Sequence, residues 1–174
     1  VTSATPTLSD SPAAGPTGIK VTVSGQGFRP AASVGIRLGS ATGQLLATAT
    51  AISTGALTAR LAFPAATLGA HPLVAVTGGT VAATTTFTVQ AHLTVSPAKI
   101  APKAKGKATI TGFKGRQAVT LRLGSATGPK LAGLTTSTAG SGIATITIPA
   151  TTKPGTYKIY AIGTSSKPTV TATI

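Results

Sequence analysis

Any chemistry in this chain would have to start from very few residues. Its 174 positions hold a single carboxylate, Asp10, two histidines, His71 and His92, and no cysteine. General acid–base catalysis and glycoside hydrolysis draw on paired carboxylates or a histidine poised near neutrality, and one Asp cannot form a pair. A Ser-His-Asp triad would need that same Asp to meet one of only two histidines. Asp10 lies among Ser9, Ser11 and Pro12, a run with the chemistry of a turn. His71 and His92 stand 21 positions apart near strand starts without acidic or cysteine neighbours, which fits surface or edge positions better than metal ligation. Calcium sites need several carboxylates, and these are missing. The sequence therefore predicts no enzyme, with no catalytic, metal-binding or cofactor-binding residue.

The glycine-rich stretches fail the corresponding tests for nucleotide chemistry. Gly39-Ser40-Ala41-Thr42-Gly43 has no Gly-Lys-Ser/Thr ending and opens no helix, so it cannot be a phosphate loop. Gly25-Gln26-Gly27 lacks the strand–helix–strand setting of a dinucleotide site. The first reads as a turn that connects strands.

What remains is positive charge. Fifteen Lys and Arg face the one acid, a net charge of +14, and a field of that sign draws polyanions. Residues 1–90 carry Lys20, Arg29, Arg37 and Arg60 against Asp10, whereas residues 91–174 carry eleven cations and no acid. The densest run is Lys99, Lys103, Lys105 and Lys107, continued by Lys114 and Arg116. Lys103, Lys105 and Lys107 alternate with Ala104 and Gly106, so in a strand they would line one face. Two readings compete: a site for an anionic cell-envelope polymer, or lysines that guard an exposed strand edge against adventitious pairing. Nucleic acid is the poorer partner, because single-strand binders interleave cations with aromatic rings and only Phe113 is near.

The elements that would carry these residues are strands, and they come twice. Arg37-Leu38-Gly39-Ser40-Ala41-Thr42-Gly43 recurs unchanged as Arg122-Leu123-Gly124-Ser125-Ala126-Thr127-Gly128, 85 positions on. The same offset pairs Gly27-Phe28 with Gly112-Phe113, Val34 with Val119, Gly55 with Gly140 and Pro64-Ala65 with Pro149-Ala150. A one-residue shift aligns Gly69 with Gly155, and Val89 falls opposite Ile174. A period of this length is a domain, so each copy buries its own core. Apolar residues alternate at Ile19, Val21 and Val23, at Leu57, Ala59, Leu61 and Phe63, and at Ala144, Ile146 and Ile148, the period of half-buried strands. Turn residues recur between the runs, and no window carries a helical stripe. Seven strands are expected per copy, near 5–9, 18–24, 33–39, 45–51, 56–63, 72–77 and 82–89, then near 92–96, 105–111, 118–123, 130–136, 142–148, 156–162 and 168–174. The fold class is all-β: two tandem immunoglobulin-like sandwiches, 1–90 and 91–174.

The stretch from Gly15-Pro16-Thr17-Gly18 to Gly25-Gln26-Gly27-Phe28 resembles the opening of bacterial immunoglobulin-like and IPT/TIG-type domains, in which a Gly-Phe corner follows the second strand. Ile148-Pro149, followed by Lys153-Pro154-Gly155-Thr156-Tyr157-Lys158-Ile159-Tyr160-Ala161, is similar to their approach to the sixth strand. The resemblance implies a stalk, spacer or adhesion module and carries over no functional residue. Because His71-Pro72 stands where the second copy has Thr156-Tyr157, a tyrosine corner is expected only in the second.

No stretch approaches the ~20 apolar residues of a membrane span, so no membrane span is expected. A secreted or cell-surface protein is expected, one that self-associates into a polymer or joins other surface proteins, with the segment Val1 to Leu8 free for strand addition. The scarcity of carboxylates also predicts tolerance of acid.

Overall fold

The computed structural model describes residues 5–164 and 169–174. Every regular element among them is a strand. Two compact units divide the chain: Val1–Pro64 with Gly69–Val89, and Gln90–Ile174 with Ala65–Leu68.

The first unit contains β1 (Thr7–Ser11), β2 (Ala14–Gly15), β3 (Lys20–Gln26), β4 (Ser33–Leu38), β5 (Leu45–Thr50), β6 (Leu57–Ala62), β7 (Gly69–Thr77) and β8 (Thr80–Val89). One sheet has the order β1-β3-β6 and the other β2-β8-β7-β4-β5, antiparallel except where β2 joins β8. Alternation places Val21 and Val23, Leu57, Ala59 and Leu61, Val34 and Ile36, and Leu73 and Phe87 in the interior. These apolar inner faces, drawn from both sheets, make the sandwich.

The second unit repeats the plan with β9 (His92–Ser96), β10 (Lys105–Thr111), β11 (Ala118–Leu123), β12 (Lys130–Thr135), β13 (Gly142–Thr147), β14 (Lys158–Gly163) and β15 (Thr169–Thr173). Its sheets run β13-β10-β9 and β12-β11-β14-β15. Leu93, Ile110, Phe113, Leu121, Ile146 and Ile159 lead its buried cluster. The all-β, tandem sandwich architecture stands on this pairing, and the repeat extends to detail. The same register irregularity falls between Ile36 and Arg37 and between Leu121 and Arg122.

The repeated heptapeptide is a structural loop. Arg37 Nη1 donates to the Gly43 carbonyl, and Arg122 Nη1 to the Gly128 carbonyl, each at 2.8 Å. A Cβ on Gly43 or Gly128 would collide with the carbonyl of Leu38 or Leu123, so only glycine lets the chain turn back so closely.

Four expectations are corrected. Asp10 is a strand residue of β1, paired with Val23, and no turn residue. Its side chain is on the inward, half-buried row, since β1 alternates exposed and half-buried. Thr7 and Leu8 are already paired in β1, opposite Gln26 and Gly25, so they are not free for strand addition; residues 1–4 lie outside the described residues. The short strand β2 was not foreseen. Finally, Ile159 pairs with Ala172 as Leu73 pairs with Thr85, and Tyr157 exchanges backbone bonds with Ile174. Strand pairing therefore makes Ile174 the counterpart of Phe87, and the last strands are two residues out of the register that Val89 and Ile174 had implied. The expected strand at 168–174 is described from Thr169.

A candidate anion-binding face

Lys105 and Lys107 lie on β10 with exposed side chains, while Gly106 and Ala108 between and beyond them are buried. The two ammonium groups share the outer face of the sheet. β10 is the central strand: Lys107 sits between Thr145 on β13 and Ser96 on β9. Lys107 therefore guards no free edge, being paired on both sides, whereas Lys105 is paired with Thr147 alone and lies beyond the end of β9.

The other four cations are placed differently. Lys103 is exposed and precedes the strand with φ 66°, so it does not continue the stripe. Its N–H donates to the Ile148 carbonyl at 2.8 Å, as that of Gly18 donates to Phe63 at 2.8 Å. Lys99 is exposed in the bend after Pro97. Lys114 and Arg116 are exposed in the turn after β10, at the far end of a strand that spans roughly 20 Å at ~3.3 Å per residue. The structure thus brings Lys105 and Lys107 together, sets Lys99 and Lys103 at their end of the sheet, and removes Lys114 and Arg116 from them.

The Lys114 turn has its own scaffold. Gln117 and Thr136 are 2% and 3% exposed, a rare condition for polar side chains that demands internal partners. The Gln117 Oε1 accepts from the Lys114 N–H at 3.1 Å, and the Thr136 hydroxyl donates to the Lys114 carbonyl at 2.7 Å while accepting from the Gln117 N–H at 2.8 Å. The sequence reading passed over both residues. The available signal was that the 85-residue offset matches them with Ala32 and Ala51 of the first copy.

A cleft of about 440 Å³ lies at the Lys99 end, lined by Lys99, Ile100, Pro102, Ile148, Lys153 and Tyr157 among others. Lys153 joins Lys99 there, a neighbour that separation in sequence had concealed. Tyr157 donates its hydroxyl to the Lys153 carbonyl at 3.0 Å, the bond of a tyrosine corner, and strand pairing makes it the counterpart of His71 in the first unit. His71 is tilted against Phe63, with ring centroids 6.0 Å apart.

Exposed lysines give the face its positive charge, and no carboxylate lies on it. The lone carboxylate, Asp10, accepts a 2.5 Å bond from the Thr85 hydroxyl through Oδ1, and its Oδ2 is buried without a hydrogen bond. No group of three metal-ligating side chains occurs among the described residues, and no described helix is long and apolar enough to cross a membrane.

The class this architecture defines is the tandem immunoglobulin-like β-sandwich protein. No protein-family model matches the sequence, and no curated protein does. Among solved structures, the chain is similar to a tetra-tandem repeat in the extending region of a large adhesion protein, at 20% identity over 97% of this chain and 47% of that one, with a TM-score of 0.46. It is similar also to the Yersinia pseudotuberculosis adhesin InvE, at 13% identity over 97% and 58% with a TM-score of 0.44. A third is the Escherichia coli adhesin FdeC, at 18% identity over 98% and 64% with a TM-score of 0.43. The chain thus spans between about half and two thirds of the length of these structures.

Proposed function

We propose that this chain is a non-enzymatic structural building block of the prokaryotic cell surface, a subunit or stalk of a filament, appendage or layer, made of IPT/TIG-type domains at 1–90 and 91–174. The observation that carries this reading is the duplication of one complete sandwich, down to the same arginine-tied loop, with only Gln90 and Ala91 between the last strand of one copy and the first of the next. Repetition of self-sufficient domains builds length, which is what a stalk needs. Negative-stain electron microscopy of the protein recovered from its source tests it. Regular filaments or sheets are the expected result, and isolated two-lobed particles would count against a polymer.

A second reading is favoured by the placement of Lys105 and Lys107. Two exposed cations on an internal strand, with no acid anywhere in residues 91–174, suit an envelope-anchoring module that binds an anionic polymer. Retention on such a polymer should fall with salt and be lost on charge reversal at Lys105 and Lys107. Retention unchanged by that reversal would remove this reading and leave the structural one standing.

A further inference from the structure

Superimposing the two copies by strand register shows that the cationic spot of the second unit has a counterpart in the first, built differently. Lys20 occupies on β3 the place that Lys105 occupies on β10, at the 85-residue offset. Lys20 pairs with Ala62, and Lys105 with Thr147. One step along the same face, Thr22 pairs with Arg60 in the first unit and Lys107 pairs with Thr145 in the second. The cross-strand pair consists of a cation and a threonine both times, but the two have changed strands. The charge is conserved in position on the face although neither residue is conserved in sequence position.

Residues paired across strands sit about 5 Å apart at Cβ, and diagonal neighbours about 7–8 Å apart. Each unit therefore holds, near one end of the central strand, one threonine with a cation directly across from it and a second cation one step along the same face. Lys20 and Arg60 are exposed, and a shallow groove of about 460 Å³ runs between them, lined by Lys20, Thr22, Arg60 and Ala62 with the backbone neighbours Val21 and Leu61. Like charges so close repel one another unless something anionic lies between them. No carboxylate of this chain can do so, because Asp10 points inward and is bonded to Thr85.

We propose that Lys20, Arg60 and Thr22 form a second anion-binding site on the outer face of the first unit, equivalent to that of Lys105, Lys107 and Thr145, and that both take the acidic groups of a polysaccharide. The inference rests on the anionic-polymer reading above and deepens it, by extending the site to a unit with little net charge and by naming the ligand class. Hydroxyl rows flank both cation pairs: Ser9, Ser11 and Ser24 in the first unit and Thr94, Ser96 and Thr109 in the second. Such rows match sugar hydroxyls, while the one ring in the pairing rows, the imidazole of His92 opposite Thr111, lies at the far end of β10 from Lys105 and Lys107, and no Phe, Tyr or Trp stands in them to stack a base.

Heparin serves as the probe, a polysaccharide bearing sulfate and carboxylate groups. Lys20→Gln/Arg60→Gln and Lys105→Gln/Lys107→Gln are each expected to weaken binding at low salt by about tenfold and to reduce the slope of log affinity against log salt by about one to two, the signature of two lost ion contacts. The quadruple variant should lose about a hundredfold. Thr22→Lys/Arg60→Thr, which rebuilds the second unit's arrangement in the first, should restore what Arg60→Thr alone loses. The glutamine variants should keep their melting temperatures, since Lys20, Arg60, Lys105 and Lys107 are exposed.

If Lys20→Gln/Arg60→Gln binds like the parent while Lys105→Gln/Lys107→Gln does not, the first-unit site is overturned and the anionic-polymer reading survives. Should neither double variant change affinity or slope, both fall together. Equal affinity for single-stranded DNA would overturn the polysaccharide assignment.

Discussion

The first unit closes one end of its core with rings, Phe63 stacked on Phe87 at a centroid distance of 4.2 Å and His71 tilted against Phe63. At the corresponding positions the second unit has Ile148, Ile174 and Tyr157. Ile174 is half-buried where Phe87 is fully buried, and the cleft beside Lys99 opens there. One topology is thus completed in two ways, by aromatic stacking in one copy and by aliphatic packing with a tyrosine hydroxyl tether in the other. The lesson is that strand order does not depend on how the end is sealed.

The sharpest way to break that comparison is to remove the sealing residue from each copy. Phe87→Ala should cost about 3–5 kcal/mol, the usual range for a buried aromatic cut to alanine, while Ile174→Ala should cost less than about 2 kcal/mol because that side chain is already partly in water. Amide hydrogen exchange read at Val21 and Val23 in one unit and at Ile110 in the other measures both. Equal losses would show that the stack is not what closes the first core.

A second contrast concerns a buried polar pair. Asp10 and Thr85 correspond to Val95 and Ala172 in the second unit, by the 85-residue offset and by strand pairing respectively. The Asp10 Oδ2 is buried without a partner, and an unsatisfied buried acceptor costs about 1–3 kcal/mol. Replacing both members by apolar groups of similar shape is often neutral or stabilising. Asp10→Val/Thr85→Ala should therefore raise stability by about 1–2 kcal/mol in chemical denaturation, whereas Thr85→Ala alone, which strips Oδ1 of its bond, should lower it by a similar amount. A double variant less stable than Thr85→Ala would refute this account.

The smallest structural contrast lies at Lys103, which holds φ 66° where Gly18 holds φ 83°. A side chain in the left-handed region costs about 1 kcal/mol relative to glycine. Lys103→Gly should gain somewhat less than that, because glycine also loses more entropy on folding. The matching Gly18→Lys should destabilise the first unit by a similar amount. Thermal melts of the two variants shifting in opposite directions would sharpen the equivalence of these turns, and shifts of the same sign would break it.

These differences mark where sequence was and was not legible. Strands such as β3 and β6 could be read because their apolar residues alternate locally, and the heptapeptide fixed the copies against each other. Asp10 was misread because Ser-Asp-Ser-Pro carries local turn chemistry, and its true partner, Thr85, lies 75 positions away. The Lys105 and Lys107 pair was visible as alternation, but its place on a central strand depends on β9 and β13 pairing from both sides. Lys103 had a readable warning in Gly18, the repeat's glycine at a positive-φ turn. The register of β15 was obscured because Thr-rich last strands align almost equally well at neighbouring offsets.

The smallest effect expected of all is the response to acid. Acid unfolding works mainly by protonating carboxylates that ionise more readily in the native state than in the unfolded one, so that stability is lost as pH is lowered wherever the unfolded chain binds more protons. Asp10 is the only side-chain carboxylate in the sequence, so beyond the chain terminus at most one such proton can be linked to folding in the acid range. Self-repulsion also changes little, since the protein already carries +14 at pH 7. A melting temperature nearly flat between pH 6 and pH 2 is the expected result in both units. A steep fall in the first unit alone would trace the linkage to Asp10 and Thr85, and would vanish in Asp10→Val/Thr85→Ala. A steep fall in both would overturn the expectation, because the lone side-chain carboxylate belongs to the first unit and the Lys and Arg charges are constant over that range.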